Sequence, residues 1–181
     1  MTYNLVRHNR KSIRLKGYDY SQPGEYFITI CTHDKKCVFG KVIEEKIILS
    51  PIGEIAKKCW EEIPEHYPKV ELDEYIIMPN HIHGIIIMSE GRDLINQILT
   101  TENNFPLMKN PKETLGKIIR YYKARSTKLI HNSGYIDFQW QSLFYDRIVR
   151  SDNELNNIRD YITNNPLKWY LDEENPNNIC D

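Results

Sequence analysis

The sequence predicts an α+β fold built on an antiparallel sheet, and three observations carry that expectation. Strand-like apolar runs and amphipathic helical stretches follow one another as strand, helix, strand, strand, helix, strand, helix. Two of the runs, Val70 to Met78 and Ile82 to Met88, are separated only by Pro79-Asn80. The chain has 181 residues and no internal repeat, which suits one domain with one core.

Each element has its own signal. Ser21-Gln22-Pro23-Gly24 is a turn cluster, and the following Tyr26 to Thr32 has the β-branched and aromatic make-up of a strand. A short hairpin is expected between Val38 and Leu49. Pro51 sits where a first helical turn tolerates proline, and Ile52, Ile55, Ala56, Cys59, Trp60 and Ile63 recur at helical spacing, giving a core-facing helix. Both faces of Ile82 to Met88 are apolar apart from the adjoining histidines, so this is a central, covered strand.

Gly91 to Lys109 is polar and irregular, with the look of a mobile connection. Lys112 to Ile130 reads as a second long helix with Leu115, Ile118, Ile119, Tyr122, Leu129 and Ile130 on one face. Gln141 to Val149 resembles another strand. Ser151-Asp152-Asn153-Glu154 is a capping box, opening a helix striped by Leu155, Ile158 and Ile162 and stopped by Pro166. The order matches a ferredoxin-like antiparallel sheet with helices packed on it and an added C-terminal helix, all within one domain spanning 1–181.

The formal net charge is −1, from 24 basic and 25 acidic residues, so the overall balance does not announce a nucleic-acid binder. The distribution is less even. Residues 1–18 contain Arg7, Arg10, Lys11, Arg14 and Lys16 and no acid, while Asp172, Glu173, Glu174 and Asp181 crowd the other end. This suggests a basic arm over 1–20 and an acidic tail over 170–181, although solvated termini are commonly charged. Four cysteines form no CxxC pair, which argues against a cysteine zinc site. With no signal peptide and no long apolar stretch, the expected location is a reducing cytoplasm, away from any membrane.

His81 and His83 flank Ile82, and a strand's period of two turns both imidazoles to one face. Such a pair can hold one metal ion, or it can be structural; in either case the buried ring nitrogens need partners. Tyr161 and Asn165 stand four apart and so share a helix face. Tyr161 also neighbours Ile158 and Ile162, which is equally compatible with simple packing. On the second long helix, the face opposite the apolar stripe shows Lys117, Arg120, Arg125 and Lys128 with Tyr121 among them. Basic groups track phosphates and an exposed ring stacks on bases, but a merely solvated face has the same pattern. Among the remaining histidines, only His66 is a reserve candidate for a ligand.

Four segments together resemble a known family. Met78-Pro79-Asn80-His81-Ile82-His83-Gly84 looks like the His-hydrophobic-His motif of HUH single-tyrosine transposases, and Asp160-Tyr161-Ile162-Thr163-Asn164-Asn165-Pro166 resembles their nucleophile helix. Arg14-Leu15-Lys16-Gly17-Tyr18-Asp19-Tyr20 with the strand after it, and Trp140-Gln141 leading to Tyr145-Asp146-Arg147-Ile148-Val149-Arg150, are similar to the REP-associated branch. The likeness covers nearly the whole chain.

The resemblance implies that His81, His83 and Asn165 hold a divalent metal and that Tyr161 is the nucleophile. It further implies cleavage and strand transfer on single-stranded DNA with hairpin structure, through a 5′-phosphotyrosine, by an enzyme associated with the nucleoid. Mg²⁺ or Mn²⁺ is the ion implied, since imidazole alone would also admit zinc. Arg14 and Lys16 of the arm join the helix residues as DNA contacts. A monomer is favoured over a dimer that swaps the tyrosine helix. Two rivals remain: a catalytically silent hairpin-binding regulator on the same fold, and a zinc hydrolase, which lacks an evident base and a third strong ligand.

Overall fold

The structure is a computed structural model and describes residues 15, 17–90, 113–172 and 174–176. Among the described residues, six strands and four α-helices lie in this order: β1 (Gly24–Cys31), β2 (Gly40–Ile43), β3 (Lys46–Leu49), α1 (Pro51–Glu61), α2 (Ile63–His66), β4 (Val70–Ile77), β5 (His81–Met88), α3 (Leu115–Asn132), β6 (Tyr145–Ile148) and α4 (Asp152–Thr163). A 3₁₀ turn over Pro166–Leu171 follows. The main sheet has the order β4-β5-β1-β6, with every adjacent pair antiparallel, while β2 and β3 form a separate hairpin. This is the ferredoxin-like arrangement that the element order predicts.

Parity along β1 and β5 divides the molecule into two layers. Tyr26, Ile28, Ile30, Ile82 and Ile86 face one way, into a core with Ala56, Cys59 and Trp60 of α1 and Ile118, Ile119 and Tyr122 of α3. Phe27 and Ile85 face the other way, onto Leu155, Ile158 and Ile162 of α4. The register sets Thr29 opposite His83 and Cys31 opposite His81, so the histidine pair shares the α4 face. Gly84 points to the opposite layer, where the Trp60 indole lies so close that a Cβ would meet it at 2.5 Å.

Helix starts follow the expected chemistry. Ser50, Thr114 and Ser151 each accept a backbone N–H from the first turn of α1, α3 and α4. The pairing of β4 with β5 slips between Leu72 and Tyr75, a bulge that inserts one residue. Leu72 and Tyr75 then face the same layer despite their opposite parity, and Asp73 is turned toward α4, where it meets Arg159.

The strand expected over Gln141 to Val149 is shorter, covering Tyr145–Ile148 alone. Lys123 of α3 is the reason. Its ammonium donates to the carbonyls of Gln141 and Leu143 at 2.7 and 2.9 Å, removing them from any ladder. The helix expected from Lys112 begins at Leu115, after the Thr114 cap, and runs on to Asn132.

The acidic end is not a loose tail where it is described. Asp172 and Glu174 are bonded to the body of the domain, and Asn175 is buried. Arg14, Lys16 and the rest of the basic arm before residue 15 lie outside the described residues, as does the connection expected at Gly91 to Lys109. Among the described residues no helix is long and apolar enough to cross a membrane.

Candidate metal and nucleophile site

His81 and His83 are 0% and 3% exposed, with ring centroids 4.4 Å apart. Burial pushes the pKa of His81 down to about 3, helped by nearby Lys35, and holds that of His83 well below the ordinary imidazole value. Both rings are therefore neutral at physiological pH, the form in which a histidine ligates metal.

The tautomer of His81 is fixed by its neighbour. The Asn80 amide donates through Nδ2 to the carbonyl oxygens of Lys35 (3.0 Å) and Glu174 (2.6 Å), which leaves Oδ1 as its acceptor. That oxygen lies 2.9 Å from His81 Nδ1, so Nδ1 carries the proton. The bare Nε2 of His81 is buried without a hydrogen-bond partner. His83 Nδ1 is 2.9 Å from the Thr29 hydroxyl, and its Nε2 is 3.2 Å from the hydroxyl of Tyr161.

Tyr161 and Asn165 arrive from α4 and the turn after it. Leu155, Ile158 and Ile162 bury their side of the helix, and Arg159 fastens it to β4 by a forked contact with Asp73 at 3.0 to 3.1 Å from Nε. Tyr161 is left 45% exposed, its ring edge-on to Phe27. It lines a cleft of about 820 Å³ together with His83, Asn165, Lys168 and Asp172. Asn165 is buried; its Nδ2 donates to Asp172 at 3.1 Å, while its Oδ1 has no hydrogen-bond partner.

A potential ligand atom from each of His81, His83 and Asp172 lies within 4.8 Å of the others. Two buried, partnerless acceptors at such a spot, His81 Nε2 and Asn165 Oδ1, are what a cation would satisfy. The residues present therefore fit a divalent ion.

No family model matches this sequence. The chain is 40% identical over 172 residues to a Haemophilus influenzae protein of uncharacterised activity, covering 94% of this chain and 96% of that one. A second Haemophilus influenzae protein, which carries the name REP-associated tyrosine transposase, is 28% identical over 151 residues, 83% of this chain and 74% of its own. Among solved structures, a REP-associated tyrosine transposase bound to a REP hairpin shares the fold, with a TM-score of 0.58 and 17% identity over 86% of this chain and 73% of that one. The chain thus resembles a REP-associated tyrosine transposase in sequence and shares the fold of another.

The basic residues of α3 stand in the layer across the sheet from the histidines. Lys117, Arg120 and Lys128 are exposed. Arg125 lies 3.5 Å from Glu62, and Tyr121 stacks on His66 at 3.9 Å and 3°, so one face of its ring is already covered. His66 is held there, away from the histidine pair. Arg120, Lys128, Trp140 and Gln141 line one open groove, and Gln141 also lines the cleft containing Tyr161.

Three site residues escape a reading of the sequence alone. Asp172 sits in what looks like a charged terminus, and Thr29 is one of two threonines in its strand run, with nothing local to mark it. Asn80 had a visible signal, an amide inside an apolar run directly before His81.

Proposed function

We propose that this chain is a metal-dependent, tyrosine-nucleophile transposase that cleaves and rejoins single-stranded DNA beside hairpins, working as a monomer in one domain. The observation that carries the proposal is the meeting, within one chain, of the Tyr161 hydroxyl with a pair of neutral, buried histidines. His81, His83 and Asn165 would hold Mg²⁺ or Mn²⁺. Bound there, the ion would polarise a non-bridging phosphate oxygen and offset charge developing on it.

The remaining chemistry belongs to the chain's own residues. Tyr161 gives up its phenolic proton and its oxygen attacks phosphorus, the bond to the 3′-oxygen breaks, and a 3′-hydroxyl leaves. The new tyrosyl phosphodiester keeps the bond energy, so a 3′-hydroxyl of the same or another strand can attack it and release Tyr161 unchanged. Arg159 fastens α4, the helix that carries Tyr161, to β4. Arg14, Lys16, Lys117, Arg120 and Lys128 would contact phosphates, while Arg125 is engaged by Glu62, and Tyr121 would stack on a base with its uncovered face.

The test is incubation of the full chain with Mn²⁺ or Mg²⁺ and a hairpin oligonucleotide bearing single-stranded flanks, followed by denaturing electrophoresis. A protein-DNA adduct at the 5′ end of the fragment downstream of the break, with a free 3′-hydroxyl on the upstream fragment, is expected. Tight binding of the hairpin with no adduct over a panel of flanking sequences would instead assign the chain as a regulator.

A further inference from the structure

The turn after α4 brings an acid to the histidines. The 3₁₀ segment Pro166–Leu171 reverses the chain, and Glu174 ties its far end to the start of β5. The Glu174 carbonyl accepts from Asn80 at 2.6 Å, and its carboxylate lies 3.1 Å from Lys35 Nζ and 3.4 Å from Cys31 Sγ. Asp172 is held between these anchors. Its Oδ1 accepts the backbone N–H of Glu174 at 2.7 Å, and its Oδ2 accepts from Asn165 at 3.1 Å.

A hydrogen bond to each oxygen holds the carboxylate in place. Such orientation of a ligand by its outer partners is characteristic of metal centres. The group so oriented lies within ligand spacing of His81 and His83, beside the partnerless His81 Nε2.

We propose that Asp172 is a direct ligand of the divalent ion held by His81, His83 and Asn165, and that it supplies an anionic donor. The inference rests on the metal site proposed above. Two imidazoles, an amide oxygen and a carboxylate, with positions left open, form a donor set that binds divalent ions, and the carboxylate oxygen favours the harder Mn²⁺ and Mg²⁺ over what imidazoles alone would choose. The segment past the tyrosine helix would then be part of the active centre, with Asn165 and Glu174 positioning its acid.

The experiment is Mn²⁺ titration of the full chain without DNA, followed by electron paramagnetic resonance, for the unaltered protein, Asp172→Asn and His81→Ala. Asp172→Asn should weaken Mn²⁺ binding tenfold or more, and His81→Ala should abolish it. If His81→Ala removes binding while Asp172→Asn stays within twofold of the unaltered chain, the Asp172 assignment is wrong and the histidine site stands. If His81→Ala binds normally, the histidine site itself fails and this inference with it. Should Asp172→Asn not fold, ¹³C electron-nuclear double resonance on the unaltered chain with ¹³C-carboxyl aspartate decides: a resolved carbon coupling to Mn²⁺ supports the assignment, and its absence overturns it.

Discussion

The Tyr161 hydroxyl lies 3.2 Å from Nε2 of His83, inside a single chain and without help from a second copy. The contact places the phenol on the very nitrogen that a metal would need, so hydroxyl and ion compete for it. Tyr161→Phe is therefore expected to leave Mn²⁺ affinity undiminished while abolishing adduct formation, because the variant has no oxygen to form the bond. With Tyr161 45% exposed, the fold should survive. Denaturing gels and Mn²⁺ titration check the two halves, and an adduct formed by the Phe variant would assign the nucleophile elsewhere.

Gly84, one residue beyond the histidine pair, is needed on the other side of the sheet. A methyl there meets the Trp60 indole at 2.5 Å and Tyr75 Cβ at 3.1 Å, and Trp60 is fully buried against Tyr122 with no room to withdraw. Gly84→Ala is expected to cost about 1–3 kcal/mol, the usual penalty of overpacking. A lowered thermal midpoint would show it, and an unchanged midpoint would mean the indole has a second resting place.

The fold was legible because its signals are periodic: β5 is apolar on both faces, and α1 and α4 announce themselves with caps and stripes. The histidine pair was legible for a different reason, since a spacing of two on a strand puts side chains on one face; the spacing of four from Tyr161 to Asn165 crosses the end of α4 at Thr163, and Asn165 comes from the turn that follows. What stayed hidden depends on contacts that no spacing encodes. Gln141 belongs to no strand because a lysine eighteen residues earlier takes its carbonyl, and Asp172 reaches the histidines because Glu174 bonds to Asn80 across 94 positions. Tyr121 is covered on one face by His66, a partner from a separate helix.

Arg159 and Asp73 pin the tyrosine helix to the bulge in β4. The guanidinium beside Asp73 holds its carboxyl below the usual carboxylate range, by hydrogen bonding first. A depressed folded-state pKa stabilises the fold above the unfolded value, near pH 3.9, and the contribution disappears as pH falls through the folded value. Arg159 is 38% exposed, so solvent screening keeps the contribution of the pair small. Asp73→Asn should therefore lose a small stability increment at pH 7 and almost none at pH 2. Faster amide exchange across residues 152–163 is also expected.

Arg120 and Lys128 line the open groove that reaches Gln141, whereas Arg125 is turned to Glu62. A single strand leaving the catalytic cleft past Gln141 would pass the first two. Replacing Arg120 or Lys128 by Ala should reduce hairpin-oligonucleotide affinity and flatten the slope of log affinity against log salt by about 0.7–0.9 each. Arg125→Ala should leave the slope unchanged. Equal slopes for all three, measured by fluorescence anisotropy, would place the DNA on another surface.

Asn80 does two jobs with one amide. Through Oδ1 it keeps the proton on His81 Nδ1, and through Nδ2 it holds the Glu174 carbonyl and so the turn carrying Asp172. Removal of an outer partner of a metal ligand costs about 10–100-fold in affinity. Asn80→Ala should reach the upper part of that range, because it releases the His81 tautomer and the carboxylate together. Asn80→Asp separates the jobs: its carboxylate still accepts from His81 Nδ1 but has no donor for Glu174. Mn²⁺ affinity intermediate between the unaltered chain and the alanine variant is expected, and equal losses in both variants would show that the turn, rather than the tautomer, governs binding.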